Sequence, residues 1–154
     1  MNYYQGKYRL KHPEKYIGNP NLIIYRSSYE LKFMNFLDNH PSVLRWGSEE
    51  LIIPYIWNGE RHRYFPDFAI EYKCVDGTIK KMIVEIKPHS QTQPPKAPKR
   101  KTAKTLERYE NDIATFTKNM AKWEAAKRFC DNNNATFTVL TENELFKKSP
   151  WAKK

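Results

Sequence analysis

Three residues near the middle of this 154-residue chain have the types and spacing to attack a phosphodiester bond. Asp67 follows Pro66, and Glu85 and Lys87 stand 18 and 20 positions beyond it. Glu85 and Lys87 are two apart, so on a β-strand their side chains share a face. If the segment around Asp67 pairs with the one ending at Glu85, two carboxylates and an amine converge at one end of a sheet. Mg²⁺ takes hard oxygen ligands, often one or two carboxylates with water and phosphate. Such an ion acidifies water and neutralises phosphoryl oxygens. A lysine beside it can orient that water or offset charge at phosphorus. Both acids lie in apolar surroundings, Asp67 between Phe65 and Phe68-Ala69-Ile70, Glu85 after Met82-Ile83-Val84. A buried carboxylate wants a cation. A metal meets that need and so does a structural ion pair with Lys87; the residues alone leave both open.

The elements that must place these groups show in local signals. Residues 1–25 are tyrosine-rich and broken by Pro13, Gly18 and Pro20, which predicts an irregular arm packing its rings on the domain. A helix is expected over 28–39, with Ser27 as N-cap, Glu30 at the capping-box position and His40-Pro41 as the stop. Three strands follow, over 51–57, 63–72 and 79–86, separated by the turn pairs Asn58-Gly59 and Asp76-Gly77. Residues 88–100 are a proline- and lysine-rich loop. A long helix over 102–131 carries Leu106, Tyr109, Ile113, Phe116, Met120 and Trp123 at steps of three and four, a stripe expected to face the core. A strand over 136–140 and a short helix capped by Thr141 complete the order α-β-β-β-α-β. That is one mixed α/β domain over 26–146, with an arm before it and a basic tail over 147–154.

Composition narrows the partners. Lys and Arg number 27 against 17 Asp and Glu, a net charge of +10 that favours a polyanion, usually nucleic acid. No apolar run approaches the roughly 20 residues of a membrane helix. No secretory signal opens the chain. Cys74 and Cys130 are too few for a disulfide framework or a metal cluster of their own, and are expected to be reduced thiols in a cytosolic setting.

The pair Pro66-Asp67 and Glu85-Ile86-Lys87 resembles the active-site signature of the PD-(D/E)XK nuclease superfamily, whose core has the same α-β-β-β-α-β order. Tyr25-Arg26-Ser27-Ser28-Tyr29-Glu30, Trp46-Gly47-Ser48-Glu49, Arg63-Tyr64-Phe65-Pro66-Asp67 and Glu85-Ile86-Lys87-Pro88 with Gln91-Thr92-Gln93-Pro94-Pro95 resemble the head-completion nucleases of T4-like tailed phages. The likeness covers roughly residues 5–145. That family resembles in turn the endonuclease subunit of Tn7-type transposases. The resemblance implies a restriction-endonuclease-like core and a metal-dependent DNA endonuclease acting on packaged DNA before tail attachment. It implies Mg²⁺, with Mn²⁺ as substitute, held by Asp67, Glu85 and the backbone carbonyl of Ile86, with Lys87 assisting the water. Products would be a 5′-phosphate and a 3′-hydroxyl. Partners would be DNA and phage head or portal proteins; the location would be the host cytoplasm during assembly, and the virion head. A single small site would need a homodimer, or two visits, to cut both strands.

Other residues carry alternatives. Glu30 is explained by a helix cap, while the resemblance gives it a place at the metal. Gln93 or Gln91 could reach the scissile phosphate, although loop glutamines are commonly just solvated. Lys96, Lys99, Arg100, Lys101 and Lys104 form a basic run directly after the candidate site, and Arg61 and Arg63 flank the second strand. Cations there would neutralise backbone phosphates without reading bases. The histidines show no metal-ligand spacing. A non-catalytic DNA-binding assembly factor on the same fold is the rival function, and an RNA-processing nuclease is a third.

Overall fold

The computed structural model describes residues 5–146. In chain order its elements are β1 (Gly6–Lys7), β2 (Ile24–Tyr25), α1 (Ser28–Asn39), β3 (Val43–Ser48), β4 (Ile53–Trp57), β5 (Glu60–Tyr64), β6 (Phe68–Lys73), β7 (Ile79–Ile86), α2 (Ala103–Asn132), β8 (Ala135–Leu140) and α3 (Glu142–Leu145). The tail expected over 147–154 lies outside the described residues.

Four strands form the central sheet in the order β3-β6-β7-β8. β3, β6 and β7 are antiparallel neighbours, and β8 runs parallel to β7. A parallel pair needs a crossover, and α2 supplies it. The result is the expected α/β fold, a mixed sheet flanked by helices in α-β-β-β-α-β order.

Two expected strands are assigned differently. The run 63–72 is not continuous: β5 ends at Tyr64 and β6 begins at Phe68. Pro66, fully buried, has no N–H to donate, so the ladder stops there. β4 and β5 pair only with each other, as a ribbon outside the sheet, closed by Asn58 (φ 52°) and Gly59 (φ 74°). Two positive φ values in succession make the primed turn that matches strand twist. The first strand of the core is instead β3, which the sequence reading passed over. Its register with β6 shifts between Val43 and Arg45, so Val43 and Trp46 both point inward. That irregularity erases the period-two alternation by which a strand is recognised.

Alternation along β6 and β7 sorts the two faces of the sheet. Phe68, Ile70, Val84 and Ile86 join Phe33, Met34 and Leu37 of α1 and Trp46 of β3 in one apolar cluster. Their neighbours in sequence, Asp67, Ala69, Ile83 and Glu85, turn the other way. There a second cluster gathers Ile53, Tyr55 and Tyr64 of the ribbon with Trp123, Ala125 and Ala126 of α2.

The arm packs on the first cluster. Tyr8 and Ile23 are buried in it, and Tyr16 stands edge-on to Trp46 at 4.8 Å. The Ile17 N–H donates to the Trp46 carbonyl at 2.8 Å, covering the open edge of β3. Asp38, with no exposed surface, ties the arm to α1: it accepts from the Tyr8 hydroxyl (2.8 Å), the Lys11 N–H (2.7 Å) and the His12 N–H (3.0 Å).

The long helix departs from its expected packing. Its 30 residues extend about 45 Å, against roughly 26 Å for the eight residues of β7. Its buried residues begin at Asn119. Leu106 and Ile113, expected in the core, are 40% and 37% exposed, because the first half of α2 overshoots the sheet. No helix among the described residues is long and apolar enough to cross a membrane.

Candidate active site

The antiparallel register places Phe68 opposite Val84, so one step further along Asp67 stands opposite Glu85. Both lie at the end of the sheet, on the face toward α2. Asp67 Oδ2 accepts from the Ile86 N–H at 2.8 Å. The Lys87 N–H donates to Leu140 on the opposite side of the strand. N–H and C=O of one strand residue point the same way, so the Ile86 carbonyl opens on the Asp67 side.

Glu85 is 7% exposed. Its Oε1 accepts from the Tyr64 hydroxyl at 2.6 Å, and its Oε2 lies 3.6 Å from Lys87 Nζ. The i, i+2 relation read from the sequence therefore becomes a direct ion pair. Burial pushes the Asp67 carboxyl well above the usual aspartate range, and the charge of Glu85 adds to it. Burial likewise raises Glu85, although the Tyr64 hydroxyl, Lys87 and Lys122 pull it back. The Tyr64 phenol is held protonated by burial and by the neighbouring Glu85 charge. Two lysines act on Glu85, but among the described residues only Lys87 forms an ion pair with it, and both carboxylates are desolvated.

Glu30 stands at the first turn of α1. The Ser27 hydroxyl oxygen accepts from the Glu30 N–H at 3.1 Å, as a cap should. The Glu30 carboxylate, however, accepts from the Arg26 N–H at 3.3 Å instead of closing the box on Ser27. Its pKa is raised by burial first, then by Glu49 and, more weakly, by Glu85. Glu30 therefore caps its helix and also lies within the field of the two sheet acids. Among the described residues, no three Asp, Glu, His or Cys side chains close on a point as a metal cage. The donor set of Asp67, Glu85 and the Ile86 carbonyl nonetheless fits Mg²⁺, which is usually bound by one or two carboxylates and keeps several waters.

The other sequence candidates are more dispersed. Gln93 is exposed and bonds its neighbour Thr92. Lys96, Lys99, Arg100, Lys101 and Lys104 are exposed along the loop and the start of α2. Arg61 and Arg63 are exposed on β5 and alternate with Tyr64, so they point away from the face on which Tyr64 reaches Glu85.

Several participants escaped the sequence reading. Tyr64 was seen only as part of a motif, since a strand break cannot be placed from sequence. Lys122 lies 5.8 Å above the Tyr64 ring and lowers the pKa of Glu85. It was hidden among the 27 cations of the chain. Arg26 Nη1 pairs with both oxygens of Glu49 at 2.8 and 2.7 Å. Glu49 has φ of 55°, unusual for a residue other than glycine, and its N–H donates to the Asp67 carbonyl at 3.1 Å. The Trp46-Gly47-Ser48-Glu49 stretch thus braces the backbone of the candidate catalytic aspartate.

The chain is similar to known proteins over most of its length. Residues 40–142 match the family model described as TnsA-like endonuclease N terminal. The chain is 38% identical over 144 residues to the head completion nuclease of Enterobacteria phage T4, covering 92% of this chain and 93% of that protein. The matched span holds β3 to β8, with Asp67, Glu85 and Lys87 inside it, and so the chain belongs to the head completion nucleases with a TnsA-like endonuclease N-terminal domain.

Proposed function

We propose that the chain is a Mg²⁺-dependent DNA endonuclease acting in phage head completion, on packaged DNA before the tail attaches. The observation that carries this reading is the pairing of Asp67 with Glu85 at the sheet end, with Lys87 Nζ 3.6 Å from Glu85. Asp67, Glu85 and the Ile86 carbonyl would hold the ion, which when bound supplies an acidified water and neutralises phosphoryl oxygen charge. Lys87 places its ammonium where the phosphate arrives and orients the attacking water. Tyr64 fixes the Glu85 carboxylate by donating to one oxygen, and the other, beside Lys87 Nζ, would face the ion. Glu30 supports the site from the first turn of α1. Water oxygen bonds to phosphorus, the 3′-oxygen leaves with a proton, and a 5′-phosphate and 3′-hydroxyl result. Mn²⁺ would substitute for Mg²⁺. The setting is the host cytoplasm during assembly and the virion head, with head or portal proteins as neighbours. A homodimer would let two sites cut both strands.

The test is incubation with supercoiled, linear and branched DNA in Mg²⁺, Mn²⁺ or EDTA, beside Lys87→Ala and Asp67→Ala checked for folding by circular dichroism. Metal-dependent cutting that both folded variants lose supports the reading. Equal cutting by all three proteins sinks the site. Absence of cutting with salt-sensitive DNA binding retained turns the reading toward a non-catalytic assembly factor.

A further inference from the structure

Lys104 and Lys122 are 18 residues apart on α2, which is five turns at 3.6 residues per turn. They therefore lie on one line along the helix, about 27 Å long. Arg108, Asn111, Thr115 and Lys118 fall within about 40° of that line at 100° per residue, and no acid does. Among the described residues none of these four cations forms an ion pair, whereas Arg128 on another side of α2 pairs with Glu124. The outer members, Lys104 to Thr115, are exposed on the half of the helix that overshoots the sheet. The inner two are half-buried and seated on rings, Lys118 Nζ 5.2 Å from Trp57 and Lys122 Nζ 5.8 Å from Tyr64. Tyr64 is the residue that donates to Glu85. The line of charge thus ends at the candidate active site.

We infer that this face of α2 is a track for the phosphates on one side of duplex DNA, with Lys118 and Lys122 as the phosphate contacts next to the scissile bond. The inference rests on the nuclease reading above and says how its substrate enters. A straight row of unpaired cations suits a stiff duplex, whose phosphates recur at a regular rise along its axis. About 27 Å along the axis corresponds to roughly eight base pairs at about 3.4 Å each, about three-quarters of a turn, so the row meets phosphates of both strands. The rings under Lys118 and Lys122 hold the two ammonium groups outward instead of offering a face on which unpaired bases could stack. Burial holds the Lys122 ammonium below its ordinary pKa, despite the pull of Glu85, so it gains from a phosphate partner.

The experiment is fluorescence anisotropy of a 20-base-pair duplex against KCl concentration, in EDTA so that nothing is cut. The proteins are the wild-type chain, Lys118→Gln/Lys122→Gln, Lys104→Gln/Arg108→Gln, and Lys127→Gln/Arg128→Gln as a charge-matched control. Each phosphate contact contributes about 0.9 to the slope of log affinity against log salt. Each stripe pair should lower the slope by about 2, and the control should leave it unchanged. Unchanged slopes in folded stripe variants, or an equal fall in the control, would overturn the track. A 20-nucleotide single strand bound as tightly, with the same sensitivity to the stripe, would overturn the duplex assignment. If the wild type cuts with Mg²⁺ while the slopes stay put, the track fails and the nuclease stands. If the slopes fall as stated but nothing is cut, the nuclease fails and the track stands.

Discussion

The Tyr64 hydroxyl donates to Glu85 Oε1 at 2.6 Å, joining a ribbon outside the central sheet to the acid at the end of it. The ribbon is thereby more than an appendage, since it sets the orientation of the candidate metal-binding carboxylate.

Tyr64→Phe removes only that donor. A hydrogen bond to a charged group is worth about 1.5–3 kcal/mol. Urea denaturation should show a loss within that range, because a buried carboxylate oxygen is left without its donor. Cutting should fall about tenfold or more, as Glu85 loses its fixed rotamer. An unchanged cutting rate would mean that Tyr64 is packing alone.

Metal and stability should be opposed at Asp67. Burial and the Glu85 charge both raise its pKa, so the metal-free carboxylate is a source of strain. Asp67→Asn should match or exceed the wild type in metal-free thermal stability. Mg²⁺ should raise the melting temperature of the wild type only; an ion at 100 times its dissociation constant adds about 2.7 kcal/mol. Differential scanning fluorimetry with Mg²⁺ and with EDTA reads both effects.

Lys87→Met keeps the length of the side chain and removes the charge. Single-turnover cutting should fall by about 10²- to 10⁴-fold, the usual range for a group that assists proton transfer or stabilises charge. Circular dichroism should be unaltered, because the side chain is only half-buried.

Asp38 gives a pH-dependent prediction far from the site. Burial alone would raise its pKa, but the Lys11 N–H, the Tyr8 hydroxyl and the His12 N–H outweigh it and lower the value. A folded pKa below the unfolded one stabilises the fold above the ordinary aspartate value of about 3.9, and the gain disappears as pH falls through the folded value. Asp38→Ala should cost about 2–4 kcal/mol at neutral pH, with arm donors left unpaired. Its stability should also fall less steeply than the wild type below about pH 4.

Gly47→Ala tests how the arm seals β3. A Cβ at this position would lie 2.9 Å from the Ile17 carbonyl oxygen, which is backbone and cannot swing aside. Overpacking of this kind costs about 1–3 kcal/mol. Proteolysis should then release the arm earlier than in the wild type.

How much of this was legible beforehand differs by element. α1, β7, α2, β8 and α3 were bounded well, since each has a cap or a turn residue at its ends: Ser27 and Thr141 accept the expected backbone N–H, and Thr102, taken as the first helical residue, is the cap of α2. The opposition of Asp67 and Glu85 followed from motif spacing and an assumed hairpin, although Asp67 proved to sit at a strand break. β3 was lost because its bulge hides the alternation. The long apolar stripe of α2 was over-read, since helical periodicity gives direction and says nothing of where a partner surface stops. Lys122 and Tyr64 come near Glu85 only through the tertiary fold, which no local signal encodes.

The two apolar clusters on opposite faces of the sheet have one more consequence. Small proteins open in cooperative units, and the ribbon with the end of α2 forms a smaller unit than the cluster around Trp46. Tyr64 belongs to the smaller unit and Glu85 to the sheet. On gentle heating the ribbon should peel away first, which separates the two halves of the site while Trp46 stays sheltered. Amide exchange should then be faster at Tyr55 and Tyr64 than at Ile70 and Val84, and cutting should vanish at a lower temperature than the exchange protection of Ile70 and Val84. Such a nuclease would be silenced by partial melting well before it denatures.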